Sequence, residues 1–220
     1  MIKALLDTFG FLSMLPTGMA DNLEEVAKRM YLFPLVGAVL GLLAGVSLNL
    51  FSLFLPLSIS SAMGFFVLLA LTGLHHLDGL LDFGDAIIFR GSKERRIEVI
   101  HDTGTGVGGF AAGLFVTAIG VLAAYEFVSA GGSAVVLFVV SATLAKLAMV
   151  FAAGFGNAAF DGMGSVFVDT VKKGRWQLPL AFILAAFVVS LVAGADSAVL
   201  LPVPFFTAAF FIWISKKMIG

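Results

Sequence analysis

The sequence predicts an all-α fold: a polytopic transmembrane helical bundle of about six spans, with an N-terminal interfacial or re-entrant helix. Three observations predict it. The 220 residues are 60% hydrophobic and only 12% charged, with a mean hydropathy of +1.08, whereas a soluble domain carries about 25% charged residues. Apolar runs of about the 17–25 residues needed to cross a bilayer recur along the chain. The 25 glycines and 23 phenylalanines suit helices that touch through small residues and turn large ones to lipid. Residues 1–220 are expected to form a single integral membrane domain. No cysteine is present, which excludes disulfides, thiol catalysis and thiolate metal sites. The basic residues form short loop clusters instead of a broad patch, which argues against nucleic acid as a partner.

The elements follow in order. Ile2–Leu15 is apolar but short, with Lys3 and Asp7 near its start and Pro16 after it, so it reads as the interfacial or re-entrant helix. The acids Asp7, Asp21, Glu24 and Glu25 also argue against a cleavable signal. Leu23–Met30 reads as a short amphipathic helix capped by Asp21 or Asn22. The spans are expected at about 31–51, 56–77, 107–127, 133–154, 177–195 and 198–215, by length and hydropathy. Lys93–Asp102 reads as a polar helix outside the membrane. Pro202 and Pro204 fall early in the last span, where proline costs little.

The connecting segments differ in charge. Lys28 and Arg29; Arg90, Lys93, Arg95 and Arg96; Lys172, Lys173 and Arg175; and Lys216 and Lys217 all belong to one side. The other side has the short turns Ser52–Leu55, Glu126–Ser133 and that around Asp196. The positive-inside rule puts both termini in the cytoplasm. The two long polar loops, about 78–106 and 155–176, face the cytoplasm with them, and any active site is expected there.

The most informative stretch is Leu74–Asp85, where Asp78, Asp82 and Asp85 are spaced i, i+4, i+7. On a helix these share a face. Like charges so placed repel, so a cation is expected among them: a divalent metal, or the basic run at Arg90, Lys93, Arg95 and Arg96. Oxygen ligands suit a hard cation such as Mg2+ better than zinc. His75 and His76 are adjacent and point to different sides, so both are not expected on one metal. His101 reads as a local base or a phosphate contact. The glycines after Asp102 let backbone amides approach a ligand. Lys146 lies inside the fourth span, where an ammonium is expensive and should face a polar cavity or a carboxylate, unless it snorkels. Asp161 and Asp169 lie in the second loop, where an acid is more often simply solvated.

Taken together, His76-Leu77-Asp78-Gly79-Leu80 with Asp82 and Asp85, followed by Asp102, Thr103, Gly106 and Gly109, resembles the signature of the adenosylcobinamide-GDP ribazoletransferase (cobalamin synthase, or cobalamin-5'-phosphate synthase) family. Phe11–Pro16, Phe33-Pro34-Leu35-Val36-Gly37 and Gly162-Met163-Gly164 also resemble family segments, and Lys146 stands where the family commonly has an arginine. Leu81, Ala86, His101 and Asp161 depart from the pattern; the last two bear on which cations hold phosphate.

The resemblance implies a membrane-bound, Mg2+-dependent transferase. It would join adenosylcobinamide-GDP to α-ribazole or α-ribazole 5'-phosphate and release GMP, with the ribazole 5'-hydroxyl attacking in line. On that reading Asp78, Asp82 and Asp85 are the metal ligands, and Asp82, His76 and Asp102 the catalytic residues. Arg90, Arg95, Arg96, His101, Lys146, Gly106 and Gly109 would contact substrate or phosphate. The lipid bilayer is a standing partner, and a homo-oligomer is compatible with the chain. Two alternatives are a CDP-alcohol phosphotransferase-like lipid enzyme and an ion-coupled transporter. The first expects an Asp-Gly-x-x-Ala-Arg motif that Asp78–Asp82 does not continue, and the second expects acids nearer mid-membrane.

Overall fold

The computed structural model describes residues 2–18 and 22–219, and the described residues are helical throughout, joined by turns and short irregular segments. The helices are α1 Ile2–Leu12, α2 Leu23–Ala27, α3 Phe33–Phe51, α4 Leu57–Leu71, α5 His75–Ile88, α6 Lys93–Ile100, α7 Val107–Ser129, α8 Ala134–Phe155, α9 Met163–Lys173, α10 Gln177–Ala193 and α11 Val203–Met218. Short 3-10 turns at Met30–Leu32 and Ala195–Leu200 lead into α3 and toward α11. Among the described residues, four helices are long and apolar enough to cross a membrane: Met30–Phe51, Val107–Ser129, Ala134–Phe155 and Ala195–Met218. Two bent pairs, α4 with α5 and α9 with α10, raise the number of crossings to six if each pair is one span. The chain is an integral membrane helical bundle.

The second expected span is corrected by its bend. The run 56–77 does not continue as one helix: α4 stops at Leu71 and α5 leaves at 92°. Gly73 and Leu74 both take positive φ, 64° and 61°, and Leu74 N–H donates to the Leu69 carbonyl across the helix end. This is the closing bond of a left-handed C-terminal cap. Met14 N–H donates to the Leu71 carbonyl at 2.8 Å, occupying an acceptor the helix end leaves open. A second correction concerns 155–176, expected as a loop. Met163–Lys173 is helical there, burying Phe167 and Val171, and turns 97° into α10. The polar helix expected to reach Asp102 ends at Ile100. At α2, Asn22 is the cap, its Oδ1 accepting from Glu24 N–H at 2.8 Å; Asp21 lies outside the described residues.

α8 is the centre of the bundle, in contact with α3, α10 and α11. Its tightest neighbour is α3, because Gly37, Gly41 and Gly45 recur one turn apart on the facing side. A Cβ on Gly41 would lie 2.3 Å from the Phe138 carbonyl oxygen, and one on Gly37 2.4 Å from that of Ala142. The helices therefore meet backbone to backbone, the mode that replaces hydrophobic drive inside lipid. Phe33, Leu40, Leu147 and Val150 fill the core, while Phe110, Phe115, Leu122 and Phe206 stay on the outside. At one end of the bundle the His101 ring meets the edge of Phe160, centroids 4.4 Å apart. That contact brings the two polar segments, which are far apart in sequence, side by side.

Candidate functional site

The acid-bearing helix α5 leaves α4 at 92°, and its carboxylates come after the apolar run 56–77. It is amphipathic, with Gly84 and Ala86 buried and Asp78 exposed. Gly84 seats it on α7: a Cβ there would lie 2.8 Å from Ala112 Cβ and 2.9 Å from the Gly108 carbonyl oxygen. This close seating delivers Asp85 to the start of α7. Its Oδ2 accepts from Gly106 N–H at 2.7 Å and its Oδ1 from Gly109 N–H at 2.9 Å. The carboxylate thus satisfies two of the amides that a helix start leaves open, where negative charge is favoured. A Cβ on either glycine would come within 2.5 Å of an Asp85 oxygen. The amides of Gly106 and Gly109, expected to meet phosphate, meet Asp85.

Asp82 has a different environment. Burial, with the charges of Asp78 and Asp85 adding to it, holds its carboxyl above the usual carboxylate range, and His101 acts in the opposite direction. Among the described residues, none of the three aspartates forms an ion pair, and no three His, Asp or Glu side chains are gathered closely enough to hold a metal by themselves. A Cβ on Gly79, between Asp78 and Asp82, would meet nothing within 4 Å. Open space therefore flanks these two acids.

Lys146 does not snorkel. It is 5% exposed, and its Nζ lies 2.5 Å from His76 Nε2, so its partner is an imidazole and not the carboxylate weighed from sequence. An ammonium only donates, so beside it Nε2 accepts and the neutral ring carries its proton on Nδ1. A contact between α8 and α5 thereby fixes the imidazole orientation.

The expected phosphate contacts are less convergent. Arg90 is exposed. Arg95 pairs with Glu98 on its own helix, and Arg96 Nη1 approaches Met218 Sδ at 3.1 Å. His101 Nδ1 donates to the Ile97 carbonyl at 2.8 Å, when the ring is in that tautomer, leaving Nε2 for other partners. Asp102 Oδ1 accepts from Gly104 N–H at 3.2 Å in a local turn. The structure thus unites Asp85 with Gly106 and Gly109, His76 with Lys146, and His101 with the surroundings of Asp82. It leaves Arg90 and Arg95 on the surface.

Sequence reasoning missed the aromatic side of this end. A cavity of about 500 Å3 lies there, with Phe160 and Phe211 among its walls. Phe160 touches His101, and the Phe211 ring lies 6.0 Å from that of Phe83, next to Asp82. Phenylalanine spacing within one helix gives no sign of such a cavity, because segments far apart in the chain build it.

Comparison with known proteins decides the family. Residues 4–220 match the family model described as Cobalamin-5-phosphate synthase. The chain belongs to that family. The adenosylcobinamide-GDP ribazoletransferase of Methanococcoides burtonii is 35% identical over 206 residues, covering 88% of this chain and 74% of the relative. Those of Methanocella arvoryzae and Methanosarcina barkeri are 33% and 31% identical, covering 91% and 79% of this chain and 74% and 68% of the relatives. No solved structure matches the chain. Membership in the cobalamin-5-phosphate synthase family makes this a ribazoletransferase-type enzyme of cobalamin biosynthesis.

Proposed function

We propose that the protein transfers the cobinamide phosphate of adenosylcobinamide-GDP to α-ribazole or α-ribazole 5'-phosphate, at the cytoplasmic face of the cell membrane, with Mg2+ as cofactor. The observation that carries this reading is the acid face of α5 within a chain of this family. Burial, with the charges of Asp78 and Asp85 adding to it, destabilises the Asp82 anion, and open space lies beside it at Gly79. Carboxylates that favour a cation, with open space beside them, suit metal-assisted cleavage of a diphosphate. The basic residues at 90–96, 172–175 and 216–217 support the cytoplasmic placement by the positive-inside rule.

The donor set fits magnesium. Mg2+ commonly takes one or two carboxylates and completes its shell with water and substrate phosphate oxygens, so a closed protein cage is not required. Asp78 and Asp82 would hold it, because Asp85 is engaged at the start of α7. When bound, the ion would neutralise phosphate charge and favour departure of GMP. A ribose hydroxyl forms a new bond to the cobinamide-side phosphorus, and the bond from that phosphorus to the bridging oxygen breaks. GMP leaves with that oxygen. The 5'-hydroxyl expected from sequence is replaced here: an acceptor already esterified at 5', giving a product that keeps the 5'-phosphate, must attack through another ribose hydroxyl. His76 orients substrate through Nδ1–H, since Lys146 engages its Nε2. The hydroxyl proton passes to a carboxylate, and Asp102 has an oxygen outside its turn with Gly104 for this role.

Family membership gives neither the lipid-enzyme nor the transporter alternative any support. The test is GMP release and cobalamin formation by folded protein in detergent, supplied with both substrates and Mg2+. Chelation should abolish turnover. Asp82→Asn should lower it by about 100-fold or more, as expected on losing a charged group at the reacting centre, with an unchanged elution profile. Folded wild-type protein that makes no cobalamin product would refute the proposal.

A further inference from the structure

The cavity of about 500 Å3 has a floor of interlocked rings. Phe11 lies 5.1 Å from Phe167 and 6.3 Å from Phe33, and Phe33 lies 5.8 Å from Phe167. Polar groups are few, with Asn157, Ser165 and Lys216 among the lining residues. Its volume is in the range of small-molecule pockets, about 300–1,000 Å3. One of its walls leads to the acid helix and another to the end of α6. Phe160 touches His101, and Phe211 touches Phe83, the residue after Asp82.

The chemistry of the candidate occupants separates them. Guanine presents a dense edge of donors and acceptors, which an apolar wall would leave unpaired at a cost. The corrinoid is a macrocycle ringed by amides, too large and too polar for this space. A ribazole carries a methylated benzimidazole, a flat apolar bicycle that can meet phenylalanine edges and faces in the offset and T-shaped arrangements aromatic rings prefer. Resting on the transferase reading above, we infer that this cavity seats the benzimidazole of the ribazole acceptor and directs its ribose past Phe160 toward Asp82. The inference identifies an acceptor subsite built from α1, α3, α8, α9, α11 and the 156–162 segment, none of which carries the acid motif.

Two substitutions test it from opposite directions. Ala152→Leu puts bulk into the cavity from α8, and Phe160→Ser removes the wall that touches His101. Phe160 lies in a loop and is 38% exposed, so this variant should fold even if Ala152→Leu does not. Each should raise KM for α-ribazole about tenfold, the size of one aromatic contact, and leave KM for adenosylcobinamide-GDP within about twofold. Equilibrium dialysis of α-ribazole against the full-length protein in detergent, without the second substrate, should show the same loss of affinity. Wild-type protein that binds α-ribazole by dialysis but makes no product would overturn the reaction and leave the subsite intact. Folded Phe160→Ser with wild-type ribazole affinity would overturn the subsite while the reaction stands. A rise in KM for adenosylcobinamide-GDP alone would also overturn it, by assigning the cavity to the donor. So would retention of phospholipid after detergent exchange that α-ribazole does not displace.

Discussion

Two of the helix contacts that glycine lines in this bundle differ in what the missing Cβ admits. Between α3 and α8, Gly37 and Gly41 admit the carbonyls of Ala142 and Phe138. Both partners are main chain, fixed by their own helices, so neither can withdraw. At the start of α7, Gly106 admits only the Asp85 carboxylate, which a rotation about its side-chain bonds can withdraw, whereas Gly109 also meets the Leu81 carbonyl. The first contact is a rigid seam that fixes the bundle. The second is a polar clasp that sets the position of the acid helix. Tight packing alone therefore does not reveal which contact the chain can lose without unfolding.

The seam should break hardest. Gly41→Leu forces a side chain into the Phe138 backbone and is expected to remove most folded protein, a cost of about 3 kcal/mol or more for overpacking. Monodispersity in detergent measures it. Gly79→Leu is the counterpart, since its Cβ would meet nothing; it should remain monodisperse while turnover falls as the space beside Asp78 and Asp82 fills. If both variants behave alike, the distinction between seam and site is wrong.

The seam continues along α8 into the second test. Gly37 also makes room for Lys146, whose Cγ would be 2.9 Å from a Cβ there. Lys146→Met keeps the stem and removes the donor to His76. Turnover should fall about tenfold, in line with a hydrogen bond from a charged group, with the melting temperature unchanged or raised, because a buried charge has gone. Unchanged kinetics would reduce the contact to packing.

The clasp gives the smallest but sharpest effect. Gly106 has φ of −87°, which any residue adopts, so Gly106→Ala is costly only through Asp85. Alone it should destabilise by about 1 kcal/mol, and in an Asp85→Ala background by much less, a coupling within the range for residues in contact. Thermal unfolding of the four proteins closes the cycle. Additive effects would mean that the glycine is needed for another reason.

Much of the architecture was legible because it depends on local spacing. The spans follow from apolar length, and the face shared by Asp78, Asp82 and Asp85 follows from helical period. The exceptions have identifiable causes. The 56–77 run is apolar throughout, so hydropathy carries straight past a bend made by two left-handed residues, one of them Leu74. The α9 helix was hidden because its buried face is narrow and its glycine-rich approach resembles a loop. At the site, three equivalent acids in sequence are not equivalent in space. Asp85 is withdrawn to α7 by amides 21 and 24 residues away, and nothing near Asp85 in the chain announces that.

The sequence alone determined that this chain lives in a membrane, where its charges gather, and which helix bears the acids, since those properties depend on composition and on residues within two or three turns. Tertiary structure alone decided that Lys146 meets His76 across 70 residues, that Asp85 is engaged at the start of α7, and that rings from separate helices enclose a cavity beside the acid helix. Each of these is a contact between segments distant in sequence. Such contacts arise from how close two helices come and which way a side chain turns, and no period along one strand of sequence encodes either.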